Sequence, residues 1–324
     1  MSLSLAPIVA HVIRGGQIES MHHGLGVVTG PDGEIVSAVG DPETRVFARS
    51  ANKPLQALAM VESGLDVPSD QLALACASHS GEPFHLDVVR RMLTDAGLNE
   101  DHLQNTPDLP WRIEARDAWL AAGRGKESVA QNCSGKHAAM LATCVAAGWD
   151  LGTYRNPAHP LQQAITRSLA AAQDAEVSAI TVDGCGAPVH QLPLVGLARA
   201  YGRLAAAKEG LSRRIADAMR THPDLVGGTD REPTVFMQDA SGAIAKDGAE
   251  GVFAVGLPSG HGVAVKILDG AARASNVFTA ALLERLDLVP GAALERLRRS
   301  EVLGHGRPVG AVVAALPPED SRDG

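Results

Sequence analysis

The chain has 324 residues, 45% hydrophobic and 20% charged, a composition that fits a folded protein of one or two domains and excludes a disordered one. Net charge is −8 and no basic patch is interleaved with aromatics, so nucleic acid is not an expected partner. No apolar run reaches the roughly 18 residues of a membrane span. Met1–Leu5 lacks a basic region followed by an apolar core, and four cysteines in so long a chain do not make a disulfide scaffold, so a cytoplasmic protein without a membrane partner is expected.

Ile8–Arg14, Gly26–Thr29 and Glu34–Val39 are β-rich runs parted by Gly15-Gly16 and Pro31-Asp32-Gly33; the second and third read as a hairpin and the first joins their sheet. A helix introduced by Ser50 and Lys53 carries Leu55–Val61 and ends at Gly64. Gln71–Ala77 is small and apolar until Ser78-His79-Ser80-Gly81-Glu82 interrupts it, and a helix follows from about Pro83 to Ala96, stopped by Gly97. Residues 101–130 read as an irregular connection with one short helix near Asp117–Ala122. Asn132–His137 opens a helix over Ala138–Ala147, Pro160–Gln173 is helical, Ala179–Val182 resembles a short buried strand, and Asp183–Pro188 is a small-residue turn. Helices are predicted over Leu192–Ala207 and Leu211–Arg220, then a three-strand meander over Ala243–Lys246, Gly251–Leu257 and Val263–Leu268. Helices over Thr279–Leu286 and Ala292–Arg299 precede a tail, 317–324, expected to fray. Strands thus cluster at about 7–40 and 240–270 and helices at about 50–220. The predicted class is α+β: one catalytic unit over 1–324, its antiparallel sheet drawn from both termini and flanked by helices, with a helical insertion.

Several residues in this order carry chemistry. Ser50 and Lys53 are three apart, a spacing that lets an amine reach a hydroxyl across one helix face; a serine becomes a nucleophile when such a base takes its proton. Ser80 and Glu82 are explained by capping of the next helix, whereas Ser78, at the end of a small apolar run, is not; His79 suits a structural hydrogen-bonding role. Lys246-Asp247-Gly248 reads as a strand end and turn. Combined with S-x-x-K and a loop serine, it resembles three elements of penicillin-binding proteins and class A β-lactamases. Cys76 and Cys144 sit in apolar runs and read as core. Cys133 and Cys185 sit in turns, where packing, nucleophilic and metal-binding roles are all open; Lys136, three after Cys133, is an unusual ligand that must lose its proton to coordinate.

Together, Arg49-Ser50-Ala51-Asn52-Lys53-Pro54, Cys76-Ala77-Ser78-His79-Ser80, Asn132-Cys133-Ser134-Gly135-Lys136-His137, Thr181-Val182-Asp183-Gly184-Cys185 and Lys246-Asp247-Gly248-Ala249 resemble, in their order, the bacterial L-asparaginase II proteins of the rhizobial type, over roughly residues 7–315. The resemblance implies a serine β-lactamase-like fold, a homodimer, and hydrolysis of L-asparagine to L-aspartate and ammonia. It implies two catalytic pairs, Ser50 with Lys53 and Ser78 with Lys246, a zinc-type site at Cys133, Lys136 and Cys185, and substrate contacts from Arg49, His79, His137 and Asp183. On this reading Ser50 attacks the amide, Lys53 accepts its proton, and Ser78 and Lys246 relay protons; the roles of the two serines are exchangeable. A penicillin-recognising peptidase or esterase and a non-catalytic amino-acid-binding module are the competing readings. Gly186-Ala187-Pro188 departs from the pattern with small residues beside the second cysteine, which bears on substrate preference.

Overall fold

A computed structural model describes residues 6–317; the predicted tail lies, from 318 on, outside the described residues. The strands are β1 (Ile8–Arg14), β2 (Gln17–Thr29), β3 (Ile35–Val39), β4 (Arg45–Phe47), β5 (Ala179–Val182), β6 (Pro188–Pro193), β7 (Ile244–Gly248), β8 (Val252–Gly256), β9 (Gly262–Ile267), β10 (Glu301–Gly304) and β11 (Arg307–Ala314). Eight form one sheet in the order β10-β11-β1-β2-β9-β8-β7, with β3 also paired to β2. Its ladders are antiparallel, and both termini meet in the middle, where β1 pairs with β11 (Val12 opposite Val312) and β2 with β9 (Gly26 opposite Val265). The α+β sheet built from both ends of the chain is therefore the architecture observed. Helices occupy most of the interval between β4 and β7.

Two helices cover this sheet. Leu194–Ala206, with Ala198, Gly202 and Ala205 among its small residues, lies against β8 and β9. The approach is so close that a Cβ on Gly262 would meet the Ala198 carbonyl and one on Gly256 the Tyr201 carbonyl. Ala272–Arg285 covers the other face, where Phe278 and Leu282 pack on Gly26. Among the described residues no helix is long and apolar enough to cross a membrane.

Several elements differ from expectation. β2 begins at Gln17, well before Gly26, because its polar first half is an exposed strand paired with β1. β5 is exposed along its whole length: it is an edge strand of a small second sheet, β4-β6-β5. β6 occupies Pro188–Pro193 ahead of the helix predicted from Leu192. Helices Pro223–Val226 and Glu232–Asp239 were not predicted, nor was the β10–β11 hairpin, whose turn places His305 and Gly306 at positive φ. Lys246 lies inside β7, which continues through Asp247-Gly248 rather than turning there, and its side chain is fully buried.

Candidate active site

Five segments converge at the site. A 3₁₀ turn, Arg49–Asn52, leads into helix Lys53–Glu62. The loop after helix Ser69–Ala75 carries Ser78, whose N–H donates to Val226 O at 3.1 Å, and His79, whose N–H donates to Asn132 O at 3.1 Å. Cys133 caps helix Ser134–Ala147, and the turn between β5 and β6 holds Asp183 and Cys185, with Asp183 N–H on Ala187 O at 2.9 Å. Strand β7 packs against the 3₁₀ turn and brings Lys246.

Lys53 is buried, and its amine has three partners: Ala77 O at 2.5 Å, Ser78 Oγ at 3.0 Å and Cys133 Sγ at 3.1 Å. None is Ser50. The expected pairing of Lys53 with Ser50 is thus replaced by Lys53 with Ser78, because these acceptors draw the lysine inward from the first position of its helix. Ser50 remains half-buried on the 3₁₀ turn. Nor does Lys246 hydrogen-bond Ser78: it donates to Asp247 O at 2.9 Å and to the Asp247 carboxylate. Burial lowers Lys246 to about 8 against the pull of Asp247, with the charge on Arg231 helping to depress it.

Arg49 and Asp183 form an ion pair, Nε to Oδ1 at 2.7 Å. Burial acts to raise the Asp183 carboxyl, but Lys136 and Arg49 outweigh it and hold it below its ordinary value. Arg49 adopts φ +53, a left-handed conformation that a side chain disfavours and that is kept where surrounding structure enforces it. Lys136 donates to Cys185 Sγ at 3.2 Å. The Cys133 thiol is pushed up to about 12 by its hydrogen bond to Cys185 and by burial; Cys185 is held well below its ordinary value by that bond, and Lys136 adds to the effect against burial. Burial disfavours the Lys136 ammonium, yet Cys185, Cys133 and Asp183 outweigh it and raise the amine.

The two histidines part company. His79 is fully buried; Nδ1 accepts from Gly81 N–H at 3.1 Å, leaving Nε2–H to donate to Ser134 Oγ at 2.8 Å, which passes its own hydrogen to Val129 O at 2.8 Å. Both ring nitrogens are committed, so His79 holds its loop and is not placed to meet substrate. His137 receives the Tyr154 hydroxyl at Nδ1 (2.7 Å), and its Nε2 is buried without a partner among the described residues. Burial, then the charge on Lys136, keeps it neutral well below its usual range.

A family model described as L-asparaginase II matches residues 10–314. The chain belongs to the L-asparaginase II family. No curated protein matches it. Among solved structures it is similar to a β-lactamase from Mycobacterium bovis, at 16% identity over 87% of this chain and 97% of that one, with a TM-score of 0.45. It is also similar to EstCE1, a hydrolase with promiscuous acyltransferase activity, at 12% identity over 85% and 93% of the two chains, with a TM-score of 0.41. At these TM-scores the likeness adds nothing to the family match.

In this L-asparaginase II chain, two residues that sequence reasoning passed over bind the site together. Arg231 Nη1 donates to Ser78 O at 2.6 Å, its other terminal nitrogen pairs with the Asp247 carboxylate, and its guanidinium lies 3.8 Å over the Trp111 ring. Asp247 was read only as part of a turn. The sole local signal for Arg231 is the Gly227-Gly228-Thr229-Asp230 turn before it, where Glu82 accepts from Thr229 N–H at 2.9 Å while also capping helix Pro83–Asp95. Cys133, Lys136 and Cys185, the set that the family resemblance implies for zinc, come together from two elements, but the Lys136 amine, raised by its thiol and carboxylate neighbours, would have to lose its proton to coordinate. Among the described residues no group of three His, Cys, Asp or Glu is arranged for a metal.

Proposed function

We propose that the chain hydrolyses the side-chain amide of L-asparagine through an acyl-enzyme, with Ser78 as nucleophile and Lys53 as its base. The observation that carries this reading is the 3.0 Å contact between Lys53 Nζ and Ser78 Oγ. An uncharged amine has two N–H donors and one lone pair. Donation to Ala77 O and Cys133 Sγ uses the donors and leaves the lone pair to accept the Ser78 proton. As Ser78 Oγ bonds to the amide carbon, that proton passes to Lys53 and from there to the departing ammonia; water then cleaves the ester by the reverse path. The Arg49–Asp183 pair suits a zwitterion, Arg49 taking the α-carboxylate and Asp183 the α-ammonium. Cys133, Lys136 and Cys185 would hold a zinc ion, which when bound supplies Lewis-acid charge beside these groups.

A second reading makes Ser50 the acylated residue, with Ser78 handing its proton to Lys53; it is favoured by exposure, since Ser50 is half-buried and Ser78 only 4% exposed. Ammonia release from asparagine, glutamine and short amides, run with Ser78→Ala and Ser50→Ala, separates them. Ser78→Ala is expected to lower kcat by about 10³-fold or more, with the adduct in acid-quenched enzyme found on Ser78. An adduct on Ser50 selects the second reading, and no ammonia from any amide overturns hydrolysis itself.

A further inference from the structure

Arg231 touches neither Lys53 nor any side chain that the proposed chemistry acylates, yet it is mostly buried at the junction of three elements. It spans from the Ser78 carbonyl on one loop to the Asp247 carboxylate on β7, and Trp111 covers it. Asp247 is accordingly shared: Oδ2 faces Arg231 and Oδ1 faces Lys246. Such a cluster holds one carboxylate and two bases, of which the guanidinium does not give up its proton in a protein. We propose that Arg231 is a positioning residue: by holding Asp247 it balances that carboxylate and leaves the Lys246 amine free to work uncharged.

The remaining groups agree. Besides Asp247 and Arg231, Lys246 feels Lys53 on the helix after the 3₁₀ turn and Cys76 at the end of helix Ser69–Ala75, while Tyr201 on helix Leu194–Ala206 lies in range of Asp247 and Cys76. Burial pushes the Cys76 thiol up to about 12 and also raises the Tyr201 hydroxyl, so both are neutral and neither supplies a negative charge that would retain a proton on Lys246. With Asp247 matched by Arg231, a proton on Lys246 is surplus charge in a dry site. Without the guanidinium, the buried carboxylate has Lys246 as its nearest cation and holds that proton on it.

The use of an uncharged Lys246 in turnover, the proton-relay role that the family resemblance implies, rests on the hydrolase reading, whereas its titration does not. The test is therefore an NMR titration of the full chain carrying ¹³Cε-lysine, with the Lys246 signal assigned through Lys246→Arg. Arg231→Met is expected to move the Lys246 midpoint up by about one pH unit or more, Asp247→Asn to move it down, and Arg231→Lys to keep it nearer the parent. If the chain turns over an amide, the acidic limb of kcat/KM moves the same way in each variant; loss of activity at every pH with an unmoved limb marks a merely structural role. A folded Arg231→Met protein whose Lys246 midpoint stays in place overturns the proposal, as does a shift in the same direction for Arg231→Met and Asp247→Asn. Absence of turnover together with opposite midpoint shifts sinks the hydrolase reading and leaves the role of Arg231 standing. Should Arg231→Met fail to fold, Asp247→Asn and Arg231→Lys decide by the same criterion: no downward shift in the first overturns it.

Discussion

Arg49 combines an unfavourable backbone with a charge placed at the rim of the site. Its φ of +53 suits glycine better than arginine, and what the arginine adds is the guanidinium on Asp183. Arg49→Gly therefore relaxes the backbone while deleting the charge. If Arg49 receives the substrate carboxylate, this variant keeps its unfolding midpoint and loses about 10- to 100-fold in kcat/KM, the worth of one charge-assisted hydrogen bond, mostly through KM. Urea unfolding beside steady-state ammonia release checks both halves; an unchanged KM removes Arg49 from substrate binding. The same stretch shows what a local pattern can convey. Ser50 and Lys53 were legible as residues of interest, but their partnership was not. The spacing rule assumes one regular helix, and these two straddle the junction of a 3₁₀ turn with an α-helix. The partners Lys53 takes are 24, 25 and 80 positions away, beyond the reach of any periodicity.

Helices with a periodic apolar stripe and an evident stop were legible to within a few residues, as Pro83–Asp95 and Pro160–Gln173 show. The elements missed draw their stability from tertiary pairing. β10 and β11 carry Glu301, Arg307 and Pro308 and are joined by a tight positive-φ turn, so they lack apolar alternation and become strands only as β10 pairs with β11 and β11 with β1. β6 runs from the end of the predicted small-residue turn into the start of the predicted helix at Leu192, yet it is a strand held between β4 and β5. Where helix Leu194–Ala206 meets β8 and β9, glycine is what permits contact: the obstacle to a Cβ at Gly262 is backbone, which cannot swing aside as a side chain would. Gly262→Ala should destabilise the protein by about 1–3 kcal/mol, read as a lower urea midpoint at constant slope. The damage should also reach the site, because Tyr201 on that helix donates its hydroxyl to Ala51 O at 2.7 Å in the 3₁₀ turn. Tyr201→Phe, which removes the bond but not the packing, is expected to cost about 1 kcal/mol. If Gly262→Ala leaves the midpoint unmoved, the helix and sheet are less tightly seated than the contacts imply.

At the scale of the whole molecule, the sheet that joins both termini and the helical insertion it carries enclose polar machinery that a smaller protein could not keep dry. Four of the buried histidines, His79, His85, His137 and His190, follow from that enclosure and couple stability to pH. Burial is the largest cause for each, lowering His85 and His190 to about 4 and His79 and His137 well below their ordinary value. Their hydrogen bonds confirm neutral rings: His85 accepts from Glu82 N–H while its other nitrogen donates to Asp224 O, and His190 Nε2 donates to Thr166 Oγ, whose own hydrogen goes to Gln162 O. Above the ordinary value of 6.5 both folded and unfolded chains leave these rings uncharged, and stability does not depend on them. As pH falls below 6.5 the unfolded chain takes up protons that the native chain refuses, so the free energy of unfolding declines, for His85 and His190 down to about pH 4. Each ring contributes a limiting slope of about 1.4 kcal/mol per pH unit, or about 5.5 for the four together. The carboxyls of Asp183 and Asp247, lowered by their cationic neighbours against burial, act in a separate window below 3.8. Urea unfolding at intervals between about pH 7 and pH 5 should therefore show a steepening loss of stability well before those carboxylates titrate. His190→Gln, which retains a donor for Thr166 but cannot be protonated, should flatten that slope by about one quarter. An unchanged slope would show that the ring is protonated inside the native protein, and that its burial does not exclude the charge.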